Sequence, residues 1–450
     1  MTIADKFFQL IVDHSSKTAV IHDEKIYTYD ELNEKVIFYR EILLNKDISK
    51  GQIVFIISDY SFESIALFLA LSINRNIVVP ITTENLTEIE DRLSEAKPDW
   101  IFNLRDGDIL NIKDNVSIER HNLITRIQNE NASGLILFSS GSTGKPKAMV
   151  HNLDVLYNTF LQKKPRILNF LVFLMFDHIG GLNTLFNCLG CGSTITIPEN
   201  RRPDHICYLI DKYKINILPS SPTFLNLMLI GKSFEKYDLS SLKMITYGTE
   251  TMPESLLLKL KEQLPNVKFI QTFGTSETGI AKTTSKSSES TLMKIEDPDQ
   301  EYKIVEGELW LRSKTQILGY INHSNDSFTS DGWFKTGDLV EEFDGGYLRI
   351  IGRSKEVINV GGEKVLPTEI ESIILELQEI EDCKAKGLTN AITGQMVVVD
   401  IVVKQGYDLQ SIKSIVRNHC KLKLDPYKVP AKINIVDALA FSDRFKKIRL

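Results

Sequence analysis

Short apolar runs alternate with longer amphipathic stretches up to about residue 350. The run GQIVFIIS is followed by ESIALFLALSI and then by NIVVPIT, and the same rhythm returns between STITIP and KFIQTFG. An apolar run, a helical stretch and a second apolar run are typical of a parallel β–α–β unit. Two such sets predict a large N-terminal region of stacked α/β layers.

The pattern changes beyond Asp338, where the glycine-punctuated stretch GGYLRIIGRSKEVINVGGEKV precedes the helical pattern PTEIESIILEL. Later strand, helix and strand patterns complete an α+β unit of about 100 residues, the size of an independent domain. We therefore predict an α/β protein with an N-terminal domain over residues 1–352 and a small, mobile C-terminal domain over residues 353–450.

Composition excludes several classes of function. The 450 residues are 42% hydrophobic and 25% charged, with a formal net charge of -6, which argues against a nucleic-acid-binding surface. The longest apolar run, between Ile167 and Phe176, is far shorter than the roughly 20 residues of a membrane-spanning helix. The N-terminal stretch also lacks the pattern of a secretory signal.

The five cysteines are an odd number in a long chain, which indicates reduced thiols and a cytoplasmic protein. Cys188 and Cys191 form a C-x-x-C pattern. No second Cys or His pair at ligand spacing accompanies them, and their neighbours are apolar. Packing is therefore favoured over metal or redox chemistry.

The segment LILFSSGSTGKPKAMVHN carries the clearest chemical signal. Its glycines allow backbone N–H groups to approach an anion, its hydroxyls donate hydrogen bonds, and its lysines neutralise charge. The Walker pattern does not fit, because Pro146 follows Lys145, and a flexible Gly/Ser loop is the alternative interpretation. The segment predicts a polyphosphate site formed by Ser139, Ser140, Gly141, Ser142, Thr143, Gly144, Lys145 and Lys147.

Further segments make this signal specific, because together they resemble the adenylate-forming superfamily. That superfamily includes acyl-CoA synthetases, aryl-acid ligases, luciferases and the adenylation domains of peptide synthetases. Besides SSGSTGKPK, the matches follow in the expected order as TYDEL, FDHIGGL, YGTE, TFGTSETG, GELWLR, GWFKTGD and GRSKEVINVGGEKVLPTEIE. The resemblance implies an enzyme that uses ATP to convert a carboxylic acid into an acyl adenylate and then transfers the acyl group to a thiol.

The resemblance also assigns the nucleotide site. Phe273 offers a flat face to adenine, Asp338 accepts from both ribose hydroxyls, and Arg353 supports that aspartate. Glu277 holds Mg²⁺, with Thr143 as a second metal candidate. The remaining residues assigned to the nucleotide are Gly248, Thr249, Glu250, Gly274, Thr275 and Ser276. For each segment taken alone, a solvated turn is the alternative.

The catalytic residues implied by the resemblance begin with Lys447, in the tail FSDRFKKIRL. It would bridge the acid, the α-phosphate and the ribose. The tail departs from the superfamily pattern, because Lys446 replaces the usual glycine and becomes a rival candidate. Lys147 and Glu277 join this set. So does His178, which matches a histidine at the mouth of the acyl pocket, although a structural role for it stays open.

Lys355 occupies the position of the hinge about which the small domain would rotate between two half-reactions. The rotation would present Gly361 and Gly362 to a pantetheine arm. The expected cofactors are ATP, Mg²⁺ and coenzyme A. A phosphopantetheine on an acyl carrier protein is the rival acceptor.

Two other functions stay open beside the activation of a small carboxylic acid. Asp177 matches the aspartate with which peptide-synthetase domains bind a substrate ammonium, although the following His-Ile-Gly-Gly favours an acid without an amine. A non-catalytic nucleotide-binding relative is the second alternative, and the altered tail is its main support.

Overall fold

The computed structural model describes residues 1–112, 119–139, 145–442 and 447, and these form twelve helices and 27 strands. The helices are α1 (Ile3–Val12), α2 (Tyr29–Asn45), α3 (Phe62–Ile73), α4 (Leu86–Ala96), α5 (Asn122–Asn129), α6 (Leu153–Asn158), α7 (Ile179–Cys191), α8 (Pro203–Tyr213), α9 (Pro222–Ile230), α10 (Glu254–Gln263), α11 (Pro367–Ile374) and α12 (Leu409–Lys423). The strands are β1 (Thr18–His22), β2 (Lys25–Thr28), β3 (Ile53–Ile57), β4 (Ile77–Ile81), β5 (Trp100–Asn103), β6 (Asp108–Asn111), β7 (Gly134–Ser139), β8 (Lys147–Asn152), β9 (Asn169–Leu171), β10 (Thr194–Thr196), β11 (Ile217–Ser220), β12 (Met244–Tyr247), β13 (Lys268–Gln271), β14 (Phe273–Thr275), β15 (Gly279–Ala281), β16 (Thr283–Ser285), β17 (Met293–Ile295), β18 (Gln300–Val305), β19 (Glu308–Ser313), β20 (Gly319–Tyr320), β21 (Phe334–Phe343), β22 (Tyr347–Arg353), β23 (Ile358–Val360), β24 (Glu363–Val365), β25 (Ile380–Asn390), β26 (Gly394–Val403) and β27 (Lys432–Ile435).

Two seven-stranded sheets form the N-terminal part of the chain. One has the order β13-β12-β11-β9-β10-β1-β2 and is parallel except for the edge strand β2. The other has the order β20-β8-β7-β4-β3-β5-β6, with parallel pairing from β7 to β5 and antiparallel pairs at both edges. Parallel strands joined by helices give the layers that the alternating pattern predicts.

The main apolar core contains residues from both large sheets and from α3 and α7. Helix α3 is buried at Phe62 and continuously from Ser64 to Ser72, as expected for a helix enclosed between layers. Aromatic rings fill the space beside α7, where Phe7 stacks on Tyr157 with ring centroids 4.3 Å apart. No described helix has both the length and the apolar character needed to cross a membrane.

Two smaller β structures follow in the chain. The six-stranded sheet β16-β17-β22-β21-β19-β18 is antiparallel, and its pair β21 and β22 places Asp338 opposite Arg353. Beyond Arg353, strands β23 to β27 form a five-stranded sheet that packs with α11 and α12 around a separate apolar core. This is the α+β unit that the pattern predicts, and the division at residues 352 and 353 stays a prediction.

The C-terminal unit packs against the N-terminal part through specific polar contacts. Lys259 of α10 donates to the main-chain oxygen of Leu375 at 3.2 Å, and Thr368 of α11 donates to the main-chain oxygen of Ile351. Residues of α11 line the same cavity as the residues at the carboxyl ends of β12 and β13.

His151 of β8 is a buried titratable group in the core of the second large sheet. It is 1% exposed, and neither ring nitrogen has a hydrogen-bond partner among the described residues. Burial lowers the pKa of His151 to about 3. An unfolded histidine titrates near pH 6.5, so between about pH 6.5 and about pH 3 only the unfolded chain binds the proton. The free energy of unfolding therefore falls as the pH is lowered through this window.

Replacing His151 with leucine (His151→Leu) should remove this acid sensitivity. We expect the free energy of unfolding of the wild type, relative to the variant, to fall by about 1.4 kcal/mol per pH unit below about pH 6.5. Urea denaturation of both proteins on each side of that pH measures the difference. An equal difference at both pH values would contradict the assignment.

Candidate functional site

A cavity lies between the carboxyl ends of β12 and β13 and the C-terminal unit. Ligand sites in open parallel sheets form at such carboxyl ends. The cavity brings together eight residues that the sequence assigns to the site: Gly248, Thr249, Glu250, Phe273, Gly274, Asp338, Arg353 and Lys447. These residues come from segments far apart in the chain. Each motif predicts one part of the site, and the fold brings the parts together.

The turn after β12 is held in a narrow range of conformations. A side chain at Gly248 would come within 2.7 Å of the Thr272 hydroxyl oxygen and 2.8 Å of the Thr272 carbonyl oxygen. Thr249 has a φ of 71°, a left-handed conformation that is unusual for a β-branched residue and typical of functional turns. Glu250 follows, and its carboxylate accepts from the Thr223 main-chain N–H at 3.3 Å.

Strand β14 forms another wall of the cavity. Phe273 is 7% exposed and is one of the residues that line the cavity. A side chain at Gly274 would lie 2.5 Å from the carbonyl oxygen of Gly279 on β15, so only glycine allows this close pairing. The Thr275 hydroxyl accepts from the Thr278 N–H at 3.1 Å and orders the following turn.

Gln271, the last residue of β13, also lines the cavity. It is 3% exposed, and its side-chain oxygen has no hydrogen-bond partner among the described residues. A buried acceptor without a partner is costly, so its presence beside a cavity indicates a ligand that donates a hydrogen bond.

Asp338 and Arg353 form an ion pair at the base of the cavity. Arg353 Nε lies 3.0 Å from Asp338 Oδ1, and the side chains are 55% and 6% exposed, respectively. The main-chain N–H of Asp338 donates to the Thr336 hydroxyl at 3.0 Å. The carboxylate is therefore fixed and shielded, whereas the guanidinium reaches solvent.

A second group of predicted residues lies around Tyr320 of β20. The Tyr320 hydroxyl donates to Glu277 Oε1 at 2.8 Å, and Lys147 Nζ lies 5.7 Å from the centre of the Tyr320 ring. Burial and the nearby charge of Lys355 lower the pKa of Lys147, and Glu277 opposes them. Lys355, the predicted hinge residue, therefore lies close enough to Lys147 for the two charges to interact.

Several residues that the sequence predicts for the site either do not line the cavity or lie outside the described residues. Ser140, Gly141, Ser142, Thr143, Gly144 and Lys446 lie outside the described residues, while Ser139 ends β7 and Lys145 is exposed. Ser276 is half-buried. Gly361 and Gly362 form an exposed turn between β23 and β24, with φ values of 63° and 96°, and do not line the cavity.

His178 caps the N-terminus of α7, where its Nδ1 accepts from the Gly180 N–H at 3.0 Å. This contact gives the histidine a structural role, and its predicted catalytic role stays a prediction.

Lys447 reaches the cavity wall, but its ammonium is directed to the C-terminal unit. Nζ lies 2.6 Å from Asp382 Oδ1 and 2.8 Å from the main-chain oxygen of Cys383. The sequence did not point to Asp382, because two adjacent acidic residues in the strand segment IEDCKAK form no distinctive pattern. Tyr320 and Gln271 were also missed, although a polar residue that ends the apolar run KFIQ is a usable signal.

Two family models match the chain. The model described as AMP-binding enzyme matches residues 7–321, and the model described as AMP-binding enzyme C-terminal domain matches residues 369–446. Both matched ranges contribute residues to the cavity.

Curated relatives show the same similarity. Acyl-CoA synthetase 7 of Caenorhabditis elegans is 30% identical over 69% of this chain and 63% of its own length. The chain spans less than two thirds of this and of other relatives that it matches at about 30% identity. The 2-succinylbenzoate–CoA ligase of Listeria innocua is 24% identical over 94% of this chain and 93% of that protein.

Among solved structures, the anthranilate–CoA ligase AuaEII in complex with anthranoyl-AMP superimposes with a TM-score of 0.83. The superposition covers 99% of this chain and 95% of that one at 19% identity. This likeness confirms the predicted α/β fold with a large N-terminal and a small C-terminal domain.

The unpartnered acceptor of Gln271 gives a testable consequence. The change Gln271→Met keeps the side-chain length and removes a buried acceptor, so the ligand-free protein should gain roughly 1 kcal/mol of unfolding free energy. Affinity for ATP, the ligand expected from the sequence, should fall. Chemical denaturation and calorimetric titration measure the two effects.

The exposed residue Gln263 of α10 provides the matched control, because Gln263→Met should change stability by less than about 0.5 kcal/mol. A Gln271→Met protein that is less stable and binds ATP normally would contradict a ligand-binding role.

Proposed function

The chain belongs to the family of AMP-binding enzymes, and from that premise we propose that it activates a carboxylic acid as an acyl adenylate and transfers the acyl group to coenzyme A. The observation that carries the proposal is the single cavity that contains Phe273, Asp338 and Lys447. An aromatic face, a fixed carboxylate and a cation are the groups that adenine, ribose and an α-phosphate require.

The residues of the cavity fit an adenine nucleoside. Adenine would lie against Phe273 and the turn from Gly248 to Glu250, and its exocyclic amine would satisfy the buried acceptor of Gln271. The ribose hydroxyls would donate to the Asp338 carboxylate, which Arg353 holds in place at 3.0 Å.

The residues beside Lys147 fit the polyphosphate and its metal ion. Glu277 supplies an oxygen ligand of the type that Mg²⁺ prefers, and Thr143 is the second candidate by sequence. When bound, Mg²⁺ would neutralise charge on the phosphate oxygens. Lys147 and Lys355 add positive charge close to Glu277.

In the first step, a carboxylate oxygen of the acid forms a bond to the α-phosphorus of ATP while the bond to pyrophosphate breaks. Negative charge grows on the phosphate oxygens in the transition state, so a lysine fixed nearby stabilises it. We assign this role to Lys447. In the second step, the thiolate of coenzyme A would attack the acyl carbon and AMP would leave.

The surroundings of Asp177 favour an acid without an ammonium group. Asp177 Oδ2 lies 3.3 Å from Arg92 Nη1, and both side chains are less than 10% exposed. A guanidinium therefore already neutralises the carboxylate that would bind an amino acid in a peptide-synthetase domain. One relative is a 2-succinylbenzoate–CoA ligase, and one similar structure is that of an anthranilate–CoA ligase. Aromatic acids are therefore the first candidate substrates to test.

Coenzyme A is the acceptor named for the curated relatives, and a carrier-protein thiol is the alternative. The five cysteines all lie among the described residues, are buried and form no disulfide. Reduced thiols support a cytoplasmic location.

Exchange of radiolabelled pyrophosphate into ATP tests the first step directly. We expect exchange with at least one acid in a panel of aryl and short-chain acids. The change Asp338→Asn should lower the exchange rate about 100-fold, because the charge-assisted bonds to the ribose are lost.

The exposed carboxylate of Asp331 provides the control, and Asp331→Asn should retain exchange. ATP binding by the wild type without exchange for any acid would favour the non-catalytic alternative.

A further inference from the structure

Lys447 is held at three points by groups of both domains. Its ammonium lies 2.6 Å from Asp382 Oδ1 and 2.8 Å from the main-chain oxygen of Cys383, both in β25. Its main-chain N–H donates to Glu250 Oε1, in the N-terminal domain, at 3.1 Å. The side chains of Lys447 and Asp382 are only 12% and 5% exposed, so solvent screens this ion pair weakly.

The ion pair lies on the wall of the cavity, since both residues line it. An ammonium has three N–H donors, and groups among the described residues accept from two of them. One donor is left for an anion in the cavity. Because Asp382 and Cys383 belong to the C-terminal unit, the ammonium and its partners would move together in any rotation of that unit.

We propose that Asp382 is a positioning residue for the adenylation step, which holds the Lys447 ammonium as a cation at the wall of the cavity. Glu250 fixes the main chain of the same lysine on the N-terminal domain. The inference rests on the proposed function, in which Lys447 stabilises charge on the α-phosphate. Nothing in the sequence motifs assigns a role to Asp382.

The electrostatic surroundings of Lys447 agree with this role. Burial by itself lowers the pKa of a lysine, but here Asp382, Glu371 and Cys383 outweigh it and raise the pKa of Lys447. Within the described part of the chain, Glu250 also contacts Lys447, because its carboxylate accepts from the main-chain N–H. Without the charge of Asp382, burial is opposed by fewer negative groups, so the pKa of Lys447 falls.

The pH dependence of pyrophosphate exchange tests the proposal. In the wild type we expect the exchange rate not to fall through deprotonation of Lys447 up to about pH 10, because an ordinary lysine is still protonated below that pH. In Asp382→Asn the rate should fall about tenfold per pH unit above the lowered pKa of Lys447, with little change in KM for ATP. The conservative change Asp382→Glu should restore the wild-type profile.

Asp400 provides a matched control in the same sheet, because its carboxylate is buried and pairs with Lys386 at 2.9 Å. Asp400 does not line the cavity. The change Asp400→Asn should therefore leave the alkaline limb of the pH profile unchanged. An identical alkaline loss in both asparagine variants would overturn the proposal.

A second readout does not depend on turnover. Competitive labelling with acetic anhydride over a range of pH, read by mass spectrometry, gives the pKa of Lys447 in the ligand-free protein. The proposal predicts that Lys447 becomes reactive at lower pH in Asp382→Asn than in the wild type. Equal reactivity of Lys447 in the two proteins at every pH overturns the proposal. Absence of exchange in the wild type overturns the proposed function instead, and the labelling still decides whether Asp382 holds the cation.

Discussion

The antiparallel pairing of β21 with β22 is the constraint on which the site depends. It places Asp338 opposite Arg353, and the two side chains form an ion pair with atoms 3.0 Å apart. The same pairing ends at Arg353, where the chain enters the C-terminal unit. One strand pair therefore fixes the Asp338 carboxylate at the cavity and ends at the predicted start of the C-terminal domain.

Negatively charged and positively charged side chains lie in different parts of the proposed nucleotide site. Carboxylates of Glu250, Asp338, Glu371 and Asp382 line the cavity, whereas Lys147 and Lys355 lie together beside Glu277. A nucleoside donates hydrogen bonds and its phosphates carry negative charge, so this division favours one orientation of ATP. Lys447 is the buried cation among the carboxylates, which explains why it needs a partner.

The sequence predicted the layered α/β fold, because the alternation of apolar runs and helical stretches follows directly from burial on both faces of a parallel sheet. It also identified the segments that line the cavity. It could not predict that Asp382 holds Lys447 or that Gln271 faces the cavity, since these depend on packing between elements that are distant in the chain. The capping role of His178 likewise follows from local backbone geometry that periodicity does not reveal.

Under the proposed function, the two domains enclose one adenine nucleotide between Phe273 and Asp338. A crystal structure of the protein grown with ATP and Mg²⁺ tests it most directly. We expect adenine against the Phe273 ring, ribose hydroxyls within hydrogen-bond distance of the Asp338 carboxylate, and the phosphates directed to Lys147 and Glu277. A well-ordered nucleotide bound elsewhere, with this cavity empty, would contradict the account.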